Sequence, residues 1–111
     1  MLLKVNQQLK TYEGKPLKEG DKDVYLRTVL VNALNYTVGD KSTADEKLSI
    51  YKICLNIMTK EEVDISIELL ALAKKNVNVM YAPLIVGQVV LFLDGARPNE
   101  SEKGKEEKKV N

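Results

Sequence analysis

The sequence predicts an α+β fold, mostly α, with a short N-terminal β-hairpin packed on a four-helix domain and a disordered C-terminal tail. Three observations carry this. Leu26, Val29, Leu30, Ala33 and Leu34 recur at i, i+3, i+4, i+7 and i+8, the spacing of one helix face. Thr43-Ala44-Asp45-Glu46 has the form of a capping box, a hydroxyl followed three residues later by a carboxylate. Residues 83–93 form the most apolar run, bounded by Pro83 and Gly95.

At 111 residues the chain is long enough for one domain. That domain is expected over 1–95, with the tail over 96–111. The hydrophobic fraction of 44% suffices for a core built from Leu, Ile, Val and Tyr, since there is one Phe and no Trp. Loose alternation of Leu3, Val5 and Leu9 with polar residues predicts a first strand. A turn at Tyr12-Glu13-Gly14-Lys15 returns the chain as a second strand over 15–18, giving a hairpin over about 2–19. Residues 18–23 read as a polar connection. Asp23 is expected to cap the first helix, over about 24–36, which ends before the Val38-Gly39-Asp40 break.

The second helix is expected over 44–58. Ile50, Ile53, Cys54 and Ile57 form one stripe and Leu48, Tyr51 and Leu55 a second, so this helix should touch two elements, or one element and a partner. Glu62-Val63-Asp64-Ile65-Ser66 reads as a short extended link, and Ser66 as the cap of a third helix over about 67–77. Leu69, Leu70, Leu72, Ala73 and Val77 should face inward, with Asn76 and Asn78 ending the helix. The fourth helix, over 82–94, starts at Pro83, which suits a first helical turn, and ends before Gly95, which suits the left-handed position after a helix. A β reading competes over this run, because Val86, Val89, Val90 and Phe92 favour strands, but the run is longer than most strands. A helix apolar on nearly all sides is the centre of a core or holds a partner on one face. Close approach of another helix would explain Gly87.

Net charge is +1. The tail holds five basic and four acidic residues, which leaves twelve of each in 1–95. A neutral body lacks the net positive charge that usually drives phosphate binding. One cysteine and no histidine exclude an intramolecular disulfide, histidine proton transfer and histidine metal ligands. Cys54 sits among apolar neighbours and reads as a core residue. Asp21, Asp23, Asp40, Asp45, Glu46, Glu61, Glu62 and Asp64 fall in loops and helix starts, where caps and solubility put acids, and no run matches a calcium loop. Gly14-Lys15 and Gly20 do not have phosphate-loop spacing. The expectation is therefore no enzyme, no metal and no cofactor. The apolar run is too short to span a bilayer, and the start of the chain has no apolar signal segment, which points to the cytoplasm.

Two binding readings remain. For a protein partner, or a second copy, the candidates are Tyr36, Tyr51, Leu55 and Tyr81, since tyrosine is enriched at binding hot spots. For nucleic acid, the less favoured reading, they are Lys10, Tyr12, Lys15 and Lys18 on the hairpin with Lys74 and Lys75 on the third helix. Glu13, Glu19, Asp21 and Asp23 interleave with the hairpin lysines and would blunt such a face.

The order and spacing of several segments resemble a group of small uncharacterised proteins of tailed bacteriophages and prophages. These are Gly14-Lys15-Pro16-Leu17, the stretch from Leu26 to Leu34, Asp45-Glu46-Lys47-Leu48, Glu62-Val63-Asp64-Ile65-Ser66 and the stretch from Tyr81 to Gln88. They spread over most of residues 4–94. The resemblance implies a viral, host-cytoplasmic setting and no activity for any residue.

Overall fold

The computed structural model describes residues 1–36 and 42–98. The fold is α+β and mostly α, with four helices and short sheets among the described residues. The helices are α1 (Leu26–Leu34), α2 (Ala44–Thr59), α3 (Ile67–Met80) and α4 (Pro83–Asp94); the strands are β1 (Leu2–Lys4), β2 (Lys18–Glu19), β3 (Lys22–Asp23) and β4 (Glu62–Asp64). The break expected at 38–40 lies outside the described residues.

α1 is the centre of the core, a place the sequence had pointed to α4. All five residues of its stripe, Leu26, Val29, Leu30, Ala33 and Leu34, are buried. α2 and α3 pack on either side of it, and α4 packs on α3. Each enclosed Leu or Val contributes about 2 kcal/mol of transfer from water, so α1 holds the domain together despite its short length. Asp23 does not cap this helix. The N-cap is Tyr25, without a side-chain cap, and Asp23 lies in β3 with its carboxylate 3.7 Å from Lys18.

Strand pairing differs from the simple hairpin over 2–19. β1 pairs antiparallel with β4, in register Leu2↔Asp64, Leu3↔Val63 and Lys4↔Glu62. Val5 N donating to Glu61 O and Ile65 N donating to Met1 O extend this ladder. Leu3, Val5, Val63 and Ile65 are buried on its inner face. The link over 62–66 is thus a strand, chosen because its alternation matches that of residues 3–5. The fold-back survives further on, where Lys10 bridges Pro16 and Leu17 N donates to Leu9 O. Its turn needs Gly14 at a φ of 84°, in the left-handed region where a Cβ is costly. The connection over 18–23 is itself a tight hairpin of β2 and β3. Gly20, at a φ of 65°, is the first of its two central residues, where a type II′ turn needs glycine.

The caps of α2 and α3 form as their sequences dictate. Glu46 N donates to Thr43 Oγ1, and Leu69 N donates to Ser66 Oγ. α3 runs through Asn76 instead of ending there, because the Asn76 side chain is buried and donates to Ala33 O at 2.8 Å. That bond gives the Ala33 carbonyl, in the last turn of α1, a second donor beside Tyr36 N. Gly95 follows α4 with a φ of −80°, so it is not left-handed. Gly87 is exposed, and a Cβ there would meet nothing within 4 Å, so among the described residues no helix approaches it. Residues 96–98, expected to belong to the tail, are among the described residues. Leu2 N donates to Arg97 O and Arg97 N donates to Leu2 O, which makes Arg97 a third strand position beside β1. Its guanidinium reaches Glu62 at 2.7 Å. Residues 99–111 lie outside the described residues.

Candidate protein-docking face

α2 has two apolar stripes, and among the described residues its main helical neighbour is α1. Its inner stripe turns to the core, with Cys54 and Ile57 buried and Ile50 and Ile53 half-buried. The outer stripe is left in solvent. Leu48 is 49% exposed, Tyr51 60%, Leu55 49% and Met58 48%. These four residues are spaced three, four and three apart, so they line one side of a straight helix over three turns.

Two side chains, Arg27 in α1 and Asn35 at its C-cap, fix how this face is presented. Arg27 donates through Nη1 to Met58 O and through Nη2 to Lys60 O. A cation there meets carbonyls that the end of α2 leaves without partners and complements the helix dipole. The Arg27 Nε is buried without a partner among the described residues, so the bonds to Met58 O and Lys60 O carry the guanidinium. Asn35 Nδ2 donates to Val31 O at 2.8 Å and lies 3.5 Å from Cys54 Sγ. Arg27 thus sits against the end of α2 and Asn35 against its middle, and the two helices run antiparallel. Burial pushes the Cys54 thiol up, while the Asn35 contact acts in the opposite direction. The thiol is neutral at neutral pH and is a poor nucleophile.

Of the candidates for a protein partner, the structure brings Tyr51 and Leu55 onto one face. Tyr36 is half-buried just beyond Asn35, past the end of α1. Tyr81 lies elsewhere. Its hydroxyl accepts from Asn32 Nδ2 at 3.2 Å, and its ring helps line a cleft of about 270 Å³ with Leu17, Val24 and Ile85. Met58 and Arg27 were not singled out by sequence reasoning. Met58 carried a signal, since it continues the spacing of Leu48, Tyr51 and Leu55. Arg27 carried none, because its partners are backbone atoms distant in sequence.

Three of the lysines considered for nucleic acid lie beside carboxylates. Lys15 lies 3.9 Å from Glu13, Lys18 lies 3.7 Å from Asp23, and Lys74 pairs with Asp94. Lys10 and Lys75 are exposed, as is Tyr12. Lys18 lines the cleft beside Tyr81, whereas Lys74 lines another, with Met1, Ile67 and Leu93. Among the described residues no group of three or more Cys, Asp or Glu side chains is placed to hold a metal ion, and no helix is long and apolar enough to cross a membrane. No family model, curated protein or solved structure matches the chain.

Proposed function

We propose that the chain is a non-enzymatic protein-binding module that docks a partner on the outer face of α2. The observation that carries this is the exposed row of Leu48, Tyr51, Leu55 and Met58 on a helix whose other stripe already meets the core. Such a row excludes water when covered, and tyrosine and methionine are common anchors at interfaces. In keeping with the resemblance of segment order, the module is a phage or prophage accessory protein acting in the host cytoplasm on a host or viral protein.

The test is site-specific crosslinking in the infected or lysogenic host. A photoreactive residue replaces Tyr51, and in a separate chain it replaces Lys22 on the β2–β3 hairpin. The expected result is one adduct, formed from position 51, absent from position 22 and lost when Leu55→Glu is added. Equal labelling from both positions, or an adduct indifferent to Leu55→Glu, overturns the assignment.

A further inference from the structure

The outer row of α2 also defines what covers it, an inference that rests on the reading just given. Leu48, Tyr51, Leu55 and Met58 occupy the a, d, a and d positions of two heptads, the narrow seam of a coiled coil. In that register Lys47 holds a g position and Lys52 an e position, the two places that face a partner helix across the seam. Both are exposed, and neither takes part in an ion pair among the described residues. The next g position is Cys54, which is turned into the core. Asp45, one heptad before Lys52, lies in the first turn, where acids complement the helix dipole.

A second copy of the chain fits this seam badly in either direction. Side by side in parallel, Lys47 of one copy faces Lys52 of the other. In antiparallel array Lys52 faces its own counterpart. Like charges at such positions oppose pairing. The area is also small. Four half-exposed side chains offer about 400 Å², against roughly 800 Å² per partner in a standard stable interface. The seam therefore suits a partner that supplies opposite charge and engages weakly.

We propose that the occupant is an amphipathic helix of a different protein, with apolar residues at its own a and d positions and carboxylates at the positions that face Lys47 and Lys52. The full chain is titrated into three synthetic helices of about three heptads. All carry Leu at a and d and one Trp reporter, which this chain lacks. Their e and g positions are all Glu, all Gln or all Lys. Trp fluorescence anisotropy reads binding at low salt and at high salt.

The Glu peptide is expected to bind about tenfold more tightly than the Lys peptide, with the difference shrinking as salt screens it. In the Lys47→Glu/Lys52→Glu chain the preference is expected to reverse. Equal binding of all three peptides overturns the acidic partner while leaving α2 as a docking face. A preference that survives the charge reversal places the recognition elsewhere and also overturns it. Binding of none of the three removes both the inference and the use of this face for a helix. A concentration-dependent dimer in light scattering that Leu55→Glu abolishes makes the occupant a second copy.

Discussion

Leu30 in α1 and Leu55 in α2 are the same side chain on helices packed against each other, yet Leu30 is fully enclosed and Leu55 is half in water. The difference lies in how many neighbours each helix has for the apolar surface it carries. α1 has one stripe and lies between α2 and α3, so every residue of that stripe is covered. α2 has two stripes and, among the described residues, one main helical neighbour, so one stripe is left over. Apolar content alone therefore says little about burial. α4 makes the same point from the other side. It is the most apolar helix, but only Val89 and Leu93 are buried, and Leu91 is 74% exposed.

This contrast is open to direct attack by substitution. The largest effect is expected for Leu30→Ala, which opens a cavity at the centre of the core and should cost about 3 kcal/mol in urea unfolding. Leu55→Ala should cost well under half of that, about 1 kcal/mol, because half of the side chain is already hydrated. Similar losses for the two would erase the distinction between the helices. Asn76→Ala should cost about 1 kcal/mol, since it removes the buried side-chain bond to the Ala33 carbonyl, which keeps its bond from Tyr36 N. Restoration by Asn76→Gln is not expected, because the longer chain overfills a site where Asn76 is 6% exposed. The smallest effect has the opposite sign. Gly87→Ala should stabilise by about 0.5–1 kcal/mol, because the new Cβ meets no atom and the unfolded chain loses freedom. Destabilisation there would mean that α4 needs close approach at residue 87 after all.

Local signals proved the most legible part of the sequence. The helical spacing over residues 26–34, the capping box at Thr43 and Glu46, the Ser66 cap and Pro83 in the first turn of α4 are all contained within at most three helical turns. What the sequence hid depends on distant partners. β1 pairs with β4 across about sixty residues, and no local pattern distinguishes that pairing from a hairpin with residues 15–18. Asn76 resembles a helix breaker until Ala33 O is placed beside it. Gln88 interrupts the apolar run for the same kind of reason. Its amide accepts from Lys10 N at 2.7 Å and donates to Lys10 O at 2.8 Å, as a neighbouring strand would. Arg97 was read with the charged tail because its composition matches the tail, while its backbone completes the edge of β1. The row on α2 was legible as a second stripe, but whether that stripe was covered depended on how many helices surround it.

The central claim is that the outer row of α2 is built for contact with another molecule and not for the core. The Tyr51→Glu/Leu55→Glu chain tests this most directly, with urea unfolding and binding of the acidic-flanked helical peptide measured on the same sample. The expected result is an unfolding midpoint close to that of the unsubstituted chain together with loss of peptide binding. An unfolding loss as large as that of Leu30→Ala, or peptide binding left intact, would contradict it.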